Sequence, residues 1–216
     1  MRSVMSDNYR VLRALRLYLV LDPGLCGGSE GLVRTAQAAA AAGVTAVQLR
    51  APNWKKRLYA ECGRELLKVL APYDVPLFIN DHADVAVAIG AHGVHVGQSD
   101  LSPEDCHRLM TPDMMLGLSV SNVSECLGVD PALVDYIGIG PYRATPTKKD
   151  AAAEIGLSGL TDIVSRAPCP SVAIGGIKAA DVGSVMQSGV DGVVSAICGT
   201  PDIPASVKAL LDAMPS

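Results

Sequence analysis

Aromatic side chains are scarce in this chain of 216 residues, which has one tryptophan, one phenylalanine and six tyrosines. With so few rings and no regular spacing between them, the stacking platforms that single-stranded nucleic acid needs are excluded. A dominant charge is also lacking. Eighteen lysines and arginines against 22 aspartates and glutamates leave a formal net charge of -4. Nothing in that balance pulls the whole protein toward nucleic acid or an anionic membrane, so any anion site must be a local cluster of cations.

No apolar run is long enough to span a bilayer. The apolar part of the N-terminal MRSVMSDNYRVLRALRLYLVLD is too short and too interrupted for a signal peptide. The six cysteines (Cys26, Cys62, Cys106, Cys126, Cys169 and Cys198) contain no C-x-x-C pair and sit mostly among apolar neighbours, unlike a secreted disulfide framework or a zinc site. Together these absences predict a reduced, cytoplasmic protein with no membrane partner. There is no G-x-S-x-G turn and no local Cys/His signature, so nucleophilic catalysis has little support. With no repeat, low-complexity segment or linker, a single domain over 1–216 is expected, residues 1–15 standing as an N-terminal extension.

What the chain does have is a succession of short runs rich in Val, Ile and Leu: LYLVLD, TAVQLR, PLFIND, GVHVGQ, MLGLSV, YIGIGP, SVAIGG and GVVSAI. Near-continuous apolarity, instead of strict alternation, marks parallel strands covered on both faces. Helical spacing fills the gaps. Leu58, Cys62, Leu66 and Val69 fall on one face after Asn53, and EGLVRTAQAAAAAG reads as a helix ended by Gly43. Ser102-Pro103 reads as a helix start, and Val182, Val185 and Met186 precede Gly189 as a helix end. Eight such alternations predict an α/β fold, a (β/α)8 TIM barrel closed on itself. A doubly wound open sheet is the alternative, but DPGLCGGSEG after the first run has neither G-x-G-x-x-G nor a P-loop lysine.

In such a barrel the reactive end lies at the C-terminal ends of the strands. Here those ends carry Gln48 and Arg50, Asn80 and Asp81, Gln98 and Asp100, Ser119, then Thr145, Thr147 and Lys148, the pair Gly175-Gly176, and Ser195. Asp81 and Asp100 end neighbouring strands, roughly 4.8 Å apart in a sheet. Two carboxylates without a third protein ligand suit Mg2+, which keeps waters and takes other ligands from a substrate phosphate. The plainer reading is that each aspartate caps the helix that follows it. Arg50, Lys148 and Lys149 bring positive charge to the same rim, and at the ends of the seventh and eighth strands, AIGGI and SAI, backbone N–H groups can approach a phosphate where glycine permits it. His95, inside GVHVG, reads equally as a general base and as a hydrogen-bonded core residue, and His82 as a helix start.

The motifs VQLR, FINDHADVA, GVHVGQSD, DYIGIGP, TPTKKD and VAIGGI, in this order and spacing from about Leu17 to Ile197, resemble those of the thiamine-phosphate synthase family. The resemblance implies a transferase joining 4-amino-2-methyl-5-hydroxymethylpyrimidine diphosphate to 4-methyl-5-(2-phosphoethyl)thiazole, or its carboxylated form, to give thiamine phosphate and pyrophosphate. It implies that Gln48, Arg50, Asn80 and Lys148 contact the pyrimidine diphosphate and that Asp81 and Asp100 hold Mg2+. Ser119 would lie beside the pyrimidine and Thr145 and Thr147 near the thiazole phosphate. Gly176 and the strand-eight backbone at Val194 and Ser195 would complete that phosphate's cradle. The partners implied are small molecules, and a homo-oligomer is left open.

The chain departs from the family pattern at three places. Pro52 stands where the family usually has a lysine, Ser121 replaces a histidine, and Tyr142-Arg143-Ala144 replaces a more apolar run. Two other readings compete. A thiazole tautomerase on the same fold would lack the full metal set and use a histidine at position 121. A non-catalytic homologue that binds thiamine precursors or phosphate takes its support from Pro52.

Overall fold

In the computed structural model, which describes residues 11–144, 153–195 and 197–215, eight parallel strands close into a barrel in sequence order. They are β1 (Leu17–Leu21), β2 (Ala46–Leu49), β3 (Leu77–Asn80), β4 (Gly93–Val96), β5 (Met115–Val120), β6 (Tyr136–Ile139), β7 (Ser171–Ala173) and β8 (Gly192–Ser195). Tyr18 of β1 pairs with Val194 of β8, which closes the ring. Each strand falls within one of the eight apolar runs. Closure removes the exposed edges that an open sheet of such strands would leave.

A helix follows each strand: α1 (Gly28–Ala42), α2 (Lys56–Leu70), α3 (Ala83–Ile89), α4 (Pro103–Leu109), α5 (Val123–Leu127), α6 (Gly156–Val164), α7 (Ala179–Gln187) and α8 (Ile203–Asp212). Their ends follow local chemistry. The hydroxyl of Ser102 accepts the Asp105 N–H at 3.2 Å with Pro103 in the first turn, and α1 stops at Gly43, whose φ of 111° suits a residue without a Cβ. Among the described residues no helix is long and apolar enough to cross a membrane.

The α2 stripe differs from the sequence expectation. Tyr59, Cys62, Gly63, Leu66 and Leu70 face inward, while Leu58 is 40 % exposed. The helix begins at Lys56 instead of just after Asn53, and Tyr59 takes the inward position because its hydroxyl finds carbonyl acceptors at the ends of β2 and β3.

Two apolar cores result from the strand alternation. Leu17, Leu19, Leu21, Val47, Leu49, Leu77 and Ile79 point outward into the layer under the helices. Tyr18, Val20, Ala46, Phe78, Met115, Tyr136, Val172 and Val194 point inward and fill the barrel. Residues 11–15, which the sequence reading sets apart as an extension, are helical and lend Val11, Ala14 and Leu15 to the inner core. There they close the amino-terminal end. Gly192 makes room for them, since a Cβ on it would lie 1.8 Å from the Leu15 carbonyl oxygen.

Candidate active site

The inner core changes from apolar to polar toward the carboxyl end of the barrel. Gln48 and Ser119 are inward-facing residues of β2 and β5, and Asn80 is the last residue of β3. Gln48 and Ser119 are the two ends of a series of five hydrogen-bonded side chains, with Tyr18, Tyr136 and His95 between them. Gln48 Nε2 donates to the Tyr18 hydroxyl at 2.9 Å, and Tyr18 and Tyr136 share a bond of 3.1 Å. His95 bridges Tyr136, at 3.0 Å from Nδ1, and the Ser119 hydroxyl, at 3.0 Å from Nε2. His95 is therefore a hydrogen-bonded interior residue, the core reading of its sequence context, and it contacts the predicted site residue Ser119. Burial raises the pKa of both phenols, so they remain protonated.

Tyr59 holds the neighbouring strand ends. Its hydroxyl donates to the Leu49 carbonyl, lies 3.4 Å from the Asn80 carbonyl and accepts the Ala51 N–H at 3.4 Å. The two loops it ties together carry Arg50 and Asp81. Both charges act on its phenol, whose pKa is raised chiefly by burial, with Asp81 adding to the rise and Arg50 opposing it. His82, at the N-cap position of α3, packs edge-on against the same ring with centroids 5.2 Å apart.

Asp81 has a φ of 62°, a left-handed conformation uncommon outside glycine and tolerated best by Asn and Asp. Its N–H donates to the His95 carbonyl at 2.9 Å. Asp100 is attached two residues further along the same segment, its Oδ2 accepting the Gly97 N–H at 2.8 Å. Both aspartates are thus fastened to the carboxyl end of β4. The Asp100 contact closes a tight turn through one carboxylate oxygen, and neither aspartate caps the helix that follows it, since the N-cap positions are His82 and Ser102. Among the described residues no group of three or more His, Cys, Asp or Glu side chains is placed to hold a metal ion. Two carboxylates form a donor set that fits a hard, largely hydrated cation such as Mg2+.

Gly175 and Gly176 follow β7 with φ of 101° and 64°. A Cβ on Gly175 would meet Pro141 at 2.7 Å, and one on Gly176 would meet Arg143 Cβ at 2.9 Å. The pair lets residues 141–144 lie directly on this turn, where the Arg143 N–H donates to the Gly175 carbonyl at 3.0 Å. Val194 belongs to the inner core, while Ser195 alternates with it and pairs with outward-facing Leu19 of β1. Thr145, Thr147 and Lys148 lie outside the described residues.

Two of the three departures have a side-chain partner, and a lysine near the third is itself paired. Lys56, one of two lysines near Pro52, is paired with Asp84 at 2.7 Å, and Ser121 is bonded through its N–H and hydroxyl to Glu125 at 2.7 to 3.1 Å. Arg143 is paired with Asp181.

The family profile described as thiamine monophosphate synthase matches residues 17–197 of this chain, the span of the barrel strands. This chain belongs to the thiamine-phosphate synthase family. A thiamine-phosphate synthase from Laribacter hongkongensis is 47 % identical over 92 % of this chain and 94 % of its own length. One from Azorhizobium caulinodans is 46 % identical over 91 % and 93 %. Among solved structures, thiamine phosphate pyrophosphorylase from Pyrococcus furiosus superposes with a TM-score of 0.85 at 32 % identity, covering 94 % of this chain and 96 % of that one. Membership in the thiamine-phosphate synthase family makes this chain an enzyme of the transferase class acting in thiamine biosynthesis.

Tyr18, Tyr59 and Tyr136 are not among the site residues read from the sequence. Each sits in an apolar run or helix stripe where a core role accounts for it; Tyr18 and Tyr136 bond residues far away in the chain, and Tyr59 bonds backbone groups 8 to 21 residues away. The available signal was the pattern of glycines at 117 and 138 on the inward face of β5 and β6, which leaves space for large neighbours.

Proposed function

We propose that this enzyme joins 4-amino-2-methyl-5-hydroxymethylpyrimidine diphosphate to 4-methyl-5-(2-phosphoethyl)thiazole or its carboxylated form, releasing thiamine phosphate and pyrophosphate in the cytoplasm. The observation that carries the reading is the polar layer of Gln48, Asn80 and Ser119 at the carboxyl end of an otherwise apolar barrel interior. Beside it, Arg50 and Asp81 lie on loops held by one tyrosine. Family membership supplies the substrates that such a layer would take.

The reaction places few demands on proton transfer. The C–O bond between the pyrimidine methylene and the diphosphate breaks, the electron pair leaves with pyrophosphate, and the thiazole ring nitrogen forms the new C–N bond with its own lone pair. That nitrogen carries no proton, so no general base is required. What the site must supply is stabilisation of the negative charge that gathers on the departing diphosphate. Arg50 and Lys148 would take part of it. Asp81 and Asp100 would hold Mg2+, which supplies electrostatic stabilisation of phosphate oxygens when bound. Gln48, Asn80 and Ser119 would orient the pyrimidine. Thr145, Thr147, Gly176 and the backbone at Val194 and Ser195 would seat the thiazole phosphate.

The test is a coupling assay with both substrates, run with Mg2+ and with the metal chelated, following thiamine phosphate and pyrophosphate together. Metal-dependent formation of both in equal amounts is expected. Isomerisation of the thiazole carboxylate phosphate without metal, or binding of the pyrimidine diphosphate without product, would overturn the reading.

A further inference from the structure

The five-residue series under the site has a direction that follows from counting protons. Gln48 contributes an amide N–H, so the Tyr18 oxygen is an acceptor at that contact. Tyr18 is 1 % exposed, and among the described residues the acceptor in reach of its own proton is the Tyr136 oxygen. If Tyr136 donated to Tyr18 instead, a fully buried phenolic O–H would lack an acceptor there, a cost that native interiors avoid. Tyr18 therefore donates to Tyr136. The proton of Tyr136, itself completely buried, then goes to His95 Nδ1. An imidazole that accepts at Nδ1 carries its proton at Nε2, and that N–H points at the Ser119 oxygen. Ser119 receives a hydrogen bond from below, which leaves its own proton to be donated elsewhere.

The packing holds these rings within hydrogen-bonding distance of one another. Phe78 lies against Tyr18 and Tyr136 with ring centroids 5.3 and 5.6 Å away. A Cβ on Gly117 would come within 2.5 Å of both His95 Nδ1 and the Tyr136 oxygen, and one on Gly138 within 3.0 Å of His95 Cε1. The rings are wedged between strands at positions where any side chain would displace them.

We propose that Tyr136, backed by Tyr18, is a positioning residue that fixes the His95 imidazole as its Nε2–H tautomer and thereby directs the Ser119 hydroxyl proton toward the bound pyrimidine diphosphate. The consequence for substrate rests on the function proposed above, but the tautomer does not. An acceptor nitrogen of the pyrimidine ring is the kind of group such a hydroxyl recognises. The relay presents that donor with its orientation already set, so less ordering is needed when substrate arrives.

The experiment uses the full-length enzyme labelled with nitrogen-15 histidine, the His95 resonances being identified by their loss in His95→Asn. Wild-type enzyme should show His95 protonated at Nε2 and unprotonated at Nδ1 near neutral pH. Tyr136→Phe, which removes only a hydroxyl, should populate the Nδ1–H form. It should also lower kcat/KM for the pyrimidine diphosphate about tenfold, the loss of one buried hydrogen bond, with KM for the thiazole phosphate unchanged. Tyr18→Phe keeps the bond between Tyr136 and His95, so it should move both readouts in the same direction by less. A wild-type His95 protonated at Nδ1, or a tautomer unchanged in a folded Tyr136→Phe protein, would overturn the proposal. If the coupling assay fails while the tautomer behaves as stated, the function reading has failed and the relay stands.

Discussion

Arg143 and Asp181 are joined by two hydrogen bonds of 2.6 and 2.7 Å between guanidinium and carboxylate. Asp181 is in the first turn of α7 and also accepts the Lys178 N–H at 3.0 Å, so the pair fastens the segment after β6 to the start of that helix. The guanidinium lies 5.0 Å from the centre of the Tyr142 ring. The clasp lies over the Gly175-Gly176 turn, where a Cβ on Gly176 would meet Arg143 Cβ at 2.9 Å. A bidentate pair with a mostly buried carboxylate fixes geometry more than it adds stability.

Replacing Arg143 with leucine should therefore raise KM for the thiazole phosphate severalfold, roughly three to ten times, and leave KM for the pyrimidine diphosphate nearly unchanged. Arg143 holds the Asp181 carboxyl below the usual carboxylate range. A lowered folded-state pKa contributes stability above the unfolded value, about 4, and that contribution is lost as pH falls through the lowered one. The clasp is thus intact throughout the neutral range. Steady-state kinetics with each substrate varied in turn checks the asymmetry, and equal effects on both would refute it.

Gly117→Ala tests the packing under the site. Its Cβ would stand 2.2 Å from Tyr136 Cζ, and the ring cannot retreat because Phe78 and Tyr18 lie behind it. Overpacking of this kind costs about 1 to 3 kcal/mol, or roughly 2 to 12 °C in Tm for a domain of this size. Turnover should fall as well, since the His95 ring shares the contact. A thermal melt that matches wild type would show that the interior has room the structure does not contain.

The barrel itself was legible because its strands are covered on both faces and so read as unbroken apolar runs. The polar residues ending those runs were legible too, since an apolar layer that stops at Gln48, Asn80 and Ser119 must stop at something that uses polarity. Tyr18 and Tyr136 were not, because they bond across 118 residues of sequence and each fits its run as a core ring. Tyr59 was hidden because it fits a helix stripe as a core ring, although its partners lie only 8 to 21 residues away. Arg143 stood out as a departure, yet its partner 38 residues away has no local spacing that would reveal it. Contacts made by barrel closure are set by strand register and leave no period in the chain.

High pH should unfold this protein through its buried phenols and thiols. Burial raises the phenols of Tyr18, Tyr59 and Tyr136, pushes the Cys62 thiol up to about 11 and Cys169 to about 12, and raises Cys106 and Cys126. In the unfolded chain thiols ionise near 8.5 and phenols near 10. A raised folded-state pKa means stability fully present below those values and lost as pH rises, because only the unfolded state releases the proton. Each of the two fully buried phenols withdraws up to about 1.4 kcal/mol per pH unit once the unfolded phenol is ionised. Urea midpoints should hold steady from pH 7 to about 8, decline above about 8.5 and drop steeply beyond about 10. A midpoint constant to pH 11 would contradict the burial of these groups.

The metal assignment is tested most directly by Asp81→Asn and Asp100→Asn. Asparagine tolerates the left-handed backbone that Asp81 adopts, with φ of 62°, and its amide oxygen can still accept the Gly97 N–H that Asp100 accepts. Both variants should fold with stability within about 1 kcal/mol of wild type, since shape and hydrogen bonding are kept. Removing one of only two carboxylates should weaken Mg2+ binding sharply and lower turnover by several kcal/mol of transition-state stabilisation, about a hundredfold or more. Raising the Mg2+ concentration should recover part of the loss in each variant, because the site is weakened and not blocked. Chelation should abolish the wild-type reaction and its return should restore it. Undiminished turnover in either variant would remove that residue from the site. Impaired turnover with an unchanged Mg2+ dependence would assign the carboxylate to substrate contact instead.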